Sequence, residues 1–317
     1  MNLIEEAVII EIFGIRMYAF GVYVALGAIF SMATLGIMCA YFGTKPGTAA
    51  LTALLSALCG IVLSRLAFCL LNQELGSMMP LHAWPKITGG GFSMFGLIGG
   101  VFLGGLLSAR ILKQSAGKIA DALALSVLTF VIAERIGENR ILDFDVSRAL
   151  DSEWLKHSFL AIGDEEPVLA TYYIAAFAAL VMFVILMLML PRRGKDGNLA
   201  IRFLILFGAA SIITESLRYD RFLSITFVGL QQVAAAVMLA LGIALAVMRS
   251  NRPKSALAIA ALISIVLMIG IVIGLEFALD RTTWNKFLLY AAMIIAVSVP
   301  AVLGFRLLRT EKKETWQ

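Results

Sequence analysis

The chain has 317 residues, of which 61% are hydrophobic and 15% charged, with a net charge of +5 and a mean hydropathy of +0.93. Soluble domains sit nearer roughly 45–50% apolar and about 25% charged. A water-soluble enzyme, a disordered chain and a secreted disulfide scaffold are therefore excluded, and a polytopic membrane protein remains.

A span needs about 20 apolar residues. In chain order nine runs qualify, at roughly 17–41, 49–71, 91–112, 117–133, 168–190, 198–214, 225–248, 256–278 and 286–308. The absence of short, alternating strand patterns argues against an outer-membrane barrel. The fold class expected is all-α, a membrane helix bundle of about nine spans. The first run is too long for a signal-peptide core and follows Glu5, Glu6 and Glu11 rather than a basic segment, so it should stay uncleaved.

The loops alternate in charge. Lys45, Arg110, Lys113, Lys118, Arg192, Arg193 and Lys195 fall on one side, followed there by Arg249, Arg252, Lys254 and the basic tail. Most acidic residues fall on the other side. The positive-inside rule makes the first side cytoplasmic, with the N-terminus out and the C-terminus in. Three segments follow: an extracytoplasmic arm, 1–16; a seven-span core, 17–248, carrying a head loop at 134–167; and two further spans with a tail, 249–317.

Cys39, Cys59 and Cys69 lie inside apolar runs and read as small buried side chains. His82 and His157 are the only histidines, and neither CxxC nor HExxH occurs, so no metal and no cofactor is expected. The modest basic balance is explained by topology and gives no reason to expect nucleic acid.

Charges near the membrane carry the remaining information. Lys286, Arg306 and Arg202 lie near span ends, where long side chains snorkel. Asp121 and Glu276 are also near ends. Arg65 lies deeper in the second run, where a charge needs a partner or a polar cavity.

Gly96, Gly100 and Gly104 repeat every four residues, the spacing that lets helices approach closely in lipid. The triplet Gly89-Gly90-Gly91 precedes that ladder, and glycine there lets backbone bend closely around a ligand. Arginines gather at the outer helix ends: Arg16 beside Tyr18, Arg135 and Arg140 after the fourth span, and Arg218 after the sixth. A planar guanidinium fork suits phosphate. Anchoring and ion pairing with Glu134, Glu138, Glu215 and Asp220 is the alternative reading.

Taken in order, these blocks resemble the prolipoprotein diacylglyceryl transferase family of bacteria. Ile15-Arg16-Met17-Tyr18-Ala19-Phe20-Gly21-Val22-Tyr23 is similar to its first-helix signature, and Ser64-Arg65 to a Gly-Arg in its second span. Gly90 to Gly100 resembles its Gly-rich segment ending in Gly-Leu-Ile-Gly. Asp121 with Arg135-Ile136-Gly137, and Glu215 with Arg218, fall on further family positions. The likeness covers roughly 10–248. The chain also departs from it: Met94 or Phe95 stands where the family has a histidine, Glu138 replaces an Asn, and Ser211 falls where an Arg is common. The resemblance is to a divergent member, and its two last spans exceed the family's usual seven.

The resemblance implies an integral membrane transferase in the bacterial cytoplasmic membrane. It would move a diacylglyceryl group from phosphatidylglycerol to the lipobox cysteine thiol of a prolipoprotein signal peptide. Arg135, Arg218 and Tyr18 would be catalytic. With no histidine in the Gly-rich segment, the base falls to Glu138, Glu215 or Asp143, its pKa raised by burial, or else the arginine cluster itself lowers the thiol pKa; Glu138 is the expected base and a fourth catalytic residue. Arg16, Arg65, Gly90, Gly91, Gly96, Asp121, Arg140 and Glu215 would bind substrate. One alternative is a catalytically silent homologue that binds or moves phospholipid. Another is a secondary transporter, although no internal repeat is visible.

Overall fold

The structure is a computed structural model. It describes residues 8–12, 15–71, 91–140, 150, 152–162, 167–218, 224–225, 228–250, 253 and 255–309.

Nine helices among the described residues are long and apolar enough to cross a membrane. They are α1 (Ala19–Tyr41), α2 (Thr48–Leu71), α3 (Met94–Ile111), α4 (Ala116–Gly137), α5 (Thr171–Met189), α6 (Asn198–Leu217), α7 (Leu230–Arg249), α8 (Ala256–Arg281) and α9 (Lys286–Arg309). The chain is thus the all-α polytopic bundle that its composition implies. Two helices outrun their apolar stretches: α4 continues to Gly137 and α6 to Leu217, so Glu134, Arg135 and Glu215 are helical rather than in loops.

Among the described residues, three short antiparallel strand pairs lie outside the helices. They pair β1 (Val8–Ile12) with β2 (Ile15–Tyr18), β3 (Ala161–Ile162) with β4 (Val168–Leu169), and β5 (Ser224–Ile225) with β6 (Val228–Gly229). Runs this short leave no usable two-residue periodicity in a sequence.

Small residues on both partners allow α2 and α3 to pack backbone to backbone. A Cβ at Gly96 would stand 2.6 Å from the Leu63 carbonyl oxygen, and one at Gly100 or Gly104 would collide with the backbone of Cys59 or Leu55. The facing stripe of α2 is Thr52, Ser56, Gly60 and Ser64, also spaced by four. Thr52 and Ser108 share a hydroxyl hydrogen bond of 2.7 Å, Ser56 donates to the Val101 carbonyl at 2.8 Å and Ser64 to that of Ser93 at 2.7 Å. In lipid, where apolar burial gives little drive, such contacts hold helices together.

Two apolar cores share α6. Leu199, Phe203 and Phe207 face a core built with α1, α3, α4 and α5, while Ile201, Ile205 and Ile212 face one built with α7, α8 and α9. Arg202 is enclosed, 6% exposed, which corrects the expectation that it snorkels to the rim.

Cross-helix contacts fix the directions. Ser31 of α1 meets Ser126 of α4 at 2.7 Å while Tyr23, two turns earlier on α1, packs against Gly137 at the end of α4, so those helices are antiparallel. The starts of α4 and α6 meet, because Asp121 accepts from the Gly197 and Ala200 N–H groups, each at 2.9 Å. Helix starts carry N–H groups without partners and a partial positive charge, and a carboxylate answers both. Arg193 Nη1 stands 3.3 Å from the same carboxylate.

Asp121→Ala should therefore cost about 3 kcal/mol of stability, read as a fall in Tm of detergent-solubilised protein. Asp121→Asn, which keeps an acceptor, should lose clearly less.

Candidate functional site

Because α4 and α6 run the same way, their final turns lie side by side, at what is here termed the head end of the bundle. Arg135 Nη1 donates to Glu138 Oε1 at 2.6 Å. Arg218 Nη1 reaches both Glu138 oxygens at 3.3 Å. Arg135 Nε lies 3.5 Å from Glu134 Oε2, and its Nη2 lies 3.9 Å from Glu215 Oε1. Two guanidinium groups thus face three carboxylates, and Glu138 bridges both arginines. Arg135 and Glu138 are buried, at 7% and 9% exposure.

Local structure explains the cluster. The 3-10 turn Glu138–Arg140 continues α4 and keeps Glu138 one turn beyond Arg135. Arg218 caps α6 with extended backbone, its N–H donating to the Glu215 carbonyl at 3.2 Å. The first turns of α1 close the neighbourhood, since Phe20 and Tyr23 pack against Gly137. Arg218 Nε is buried without a hydrogen-bond partner among the described residues.

Glu138 stands just past the span. Burial opposes its charge, but the Arg135 and Arg218 guanidiniums outweigh that penalty and hold the carboxyl below the usual carboxylate range. The expected upward shift is not found, because the sequence did not show that both arginines converge on this one group.

Arg65 and Gly91 also come together at the head end. Arg65 Nη1 donates to the Gly91 carbonyl at 2.8 Å, and the guanidinium lies 5.9 Å and 5.8 Å from the Phe68 and Phe92 ring centres. Gly91 has φ +81, and a Cβ there would stand 2.6 Å from Arg65 Nη1, so only glycine fits. Tyr18 occupies the N-cap of α1 at the same end and is 36% exposed.

The other expected site residues fall differently. Arg16 lies in β2 opposite Glu11, and Arg140 closes the 3-10 turn. Gly96 is part of the α2–α3 contact. Asp121 sits about 20 Å along α4 from Arg135, where it caps α6 instead of joining the cluster. Gly90, Asp143, Asp220 and His82 lie outside the described residues. Of Met94 and Phe95, one of which stands where a family histidine was expected, Phe95 packs edge-on against Phe207 of α6, with ring centres 6.2 Å apart.

Two further residues complete the site, Glu134 as the ion-pair partner of the alternative reading and Tyr172 as one the sequence did not single out. Glu134 joins the cluster directly, and its spacing of four from Glu138 was the available signal. Tyr172, at the start of α5, donates to Asn139 at 3.0 Å and ties α5 to the turn bearing Glu138. Among the described residues, no group of three or more His, Cys, Asp or Glu is placed to hold a metal ion.

A sequence profile described as prolipoprotein diacylglyceryl transferase matches residues 7–248, well over half of the chain. The chain belongs to the prolipoprotein diacylglyceryl transferase family. Nothing among curated proteins matches it. The matched region runs from the N-terminal strands to the last turn of α7, and so contains the whole arginine–glutamate cluster. It leaves α8 and α9 outside. As a member, the chain is a multi-pass membrane protein of lipoprotein biosynthesis, in a family that acts on prolipoproteins and membrane lipids.

A carboxyl held below its ordinary pKa stabilises the fold fully above the unfolded value, about 4.3, and loses that contribution as the pH falls through the folded value. The Tm difference between wild type and Glu138→Gln should be widest near neutral pH and close steadily below about pH 4. A difference that does not change with pH would place the Glu138 contribution outside its charge.

Proposed function

We propose that the chain transfers the diacylglyceryl group of phosphatidylglycerol to the thiol of a lipobox cysteine in a prolipoprotein signal peptide. The observation that carries this reading is the buried Arg135–Glu138–Arg218 cluster, which lies within the family-matched region and has a guanidinium nitrogen without an acceptor among the described residues. The basic loops at the opposite end support a bacterial cytoplasmic membrane location with the head end outside.

The reaction sets three demands. The cysteine sulfur bonds to the glycerol carbon bearing the phosphate ester, and the carbon–oxygen bond breaks with its electron pair going to the phosphate oxygen. Glycerol phosphate then leaves, and the thiol proton passes to a base. Arg218, with Arg135 behind it, binds the phosphate and stabilises its growing charge. Arg65 and Arg16 supply further positive charge at the head end, and Tyr18 hydrogen-bonds the lipid headgroup. Glu138 holds the two arginines in place. A carboxylate kept below its ordinary range by two cations is a poor proton acceptor, so Glu138 is not the base. Glu215, whose pairing with Arg135 is the longest in the cluster at 3.9 Å, takes the thiol proton instead.

A second reading has one observation in its favour. Met94 or Phe95 puts an apolar side chain where the resembled family carries a histidine, which fits a homologue that binds phospholipid without transferring it.

The deciding experiment incubates the purified protein, in nanodiscs containing phosphatidylglycerol, with a lipobox peptide and reads the peptide by mass spectrometry. Transfer predicts a diacylglyceryl adduct on the cysteine, reduced roughly 100-fold or more in Arg218→Ala and Arg135→Ala. Glu215→Gln should abolish turnover while lipid still binds. No adduct from wild-type protein that retains lipid, beside an active conventional family member, would select the binding homologue.

A further inference from the structure

The two helices outside the family-matched region touch the candidate site through polar contacts. Glu276 of α8 is 3% exposed within a span, and a buried carboxyl in such a place is costly unless it is engaged. One of its oxygens accepts from Gln232 Nε2, on the first turn of α7, at 2.8 Å. The same Gln232 nitrogen donates to the Ile212 carbonyl of α6 at 3.2 Å. From α9, the Tyr290 hydroxyl donates to the Ser216 carbonyl at 3.2 Å.

Both contacts fall on the end of α6 that carries the site. The last four carbonyls of a helix have no partner within it, and the last turn frays unless something outside satisfies them. Ser216 is in that turn, flanked by Glu215 and two residues before Arg218. Ile212 is one turn earlier. A few degrees of fraying there would carry Glu215 away from Arg135 and Arg218 away from Glu138, since those pairings extend to 3.9 Å and 3.3 Å.

We propose that α8 and α9 form a positioning element for the candidate site: Glu276 acting through Gln232 at Ile212, together with Tyr290 at Ser216, clamps the last two turns of α6 and so sets Glu215 and Arg218 against Arg135 and Glu138. Gln232, Glu276 and Tyr290 are positioning residues and touch no substrate. The inference rests on the proposed role of the cluster in binding phosphate, and it gives the two extra helices a function in that site.

The test uses the full chain in phosphatidylglycerol nanodiscs with two readouts. Hydrogen exchange reports the amides of 212–218 independently of activity, and steady-state kinetics with the lipobox peptide reports KM for the lipid and kcat. Removal of both clamps in Gln232→Leu/Tyr290→Phe should speed exchange at 212–218 and raise the KM for phosphatidylglycerol about tenfold, with the KM for the peptide unchanged. Glu276→Gln, which keeps an acceptor for Gln232, should behave as wild type, whereas Glu276→Leu should not. Tyr290→Phe alone removes a single oxygen and gives the same comparison should the double variant not fold. Exchange that stays at the wild-type level, or a lipid KM that does not move when exchange rises, overturns the inference. A wild-type protein without transferase activity sinks the functional reading alone, and the exchange arm still decides whether the clamp exists.

Discussion

A guanidinium enclosed in an apolar bundle has to be met by charge and hydrogen-bonding atoms, and Arg135 imposes that constraint on everything around it. Its partners come from its own helix, from the turn that follows, and from the end of α6. The same two helices are joined again at their starts, where the Asp121 carboxylate caps α6. Parallel helices pinned at both ends cannot slide or rotate independently. This explains why α4 and α6 form the centre of the bundle and why the site is built at their shared end. In such surroundings a broken pair costs far more than a surface ion pair, because the abandoned charge stays buried.

Around that frame, packing in lipid follows a different logic from packing in water. The α2–α3 pair has glycine on one side and Thr52, Ser56, Gly60 and Ser64 on the other, so that backbones approach and hydroxyls find carbonyls. That close pair carries Arg65 and Gly91 to the head end in a fixed relation, for the side chain of one occupies the space that the other leaves open. The second core, on the opposite face of α6, uses branched aliphatic residues and leaves polar contact to a few sites near the head end. The two faces of α6 therefore do different work. One binds the helix to the bundle that forms the family core, and the other receives α8 and α9.

What the sequence made legible follows from which signals are local. Nine long apolar runs set the number of helices, and the clustering of Arg135, Glu138, Glu215 and Arg218 at one end follows from helix direction alone. Helix ends were less legible, because Glu134, Arg135 and Glu215 look like loop residues until partners on another helix justify keeping them helical. The contacts of Asp121 were hidden for a related reason. The helix start it caps lies 79 residues away in the chain, so nothing beside it in the sequence shows the contact. The Glu138 pKa followed the same pattern: burial alone pushes a carboxyl up, and only the convergence of two arginines reverses the sign. Glu276 stood out as a charge near a span end and Gln232 as a polar residue opening an apolar run, but nothing local showed that the two meet.

The arrangement of the two arginines separates their roles on the transfer reading. Arg135 is surrounded: Nη1 is taken by Glu138, Nε lies against Glu134, and Nη2 is turned to Glu215. Arg218 meets Glu138 through Nη1 alone, which leaves its Nε buried and without an acceptor among the described residues. A guanidinium presents its donors in a rigid plane, so a carboxylate on one nitrogen fixes the direction in which the others point. Glu138 then serves binding by occupying the arginines incompletely. It neutralises enough charge to keep two cations together in a low-dielectric site, and it aims the remaining donors of Arg218. An incoming phosphate meets a donor that is already oriented and already stripped of water, and such a donor needs little reorganisation as charge grows on the leaving group. With an apolar ring at Phe95, the site's polar chemistry is concentrated at the shared end of α4 and α6, and the orientation of Arg218 is the feature on which binding of the phosphate turns.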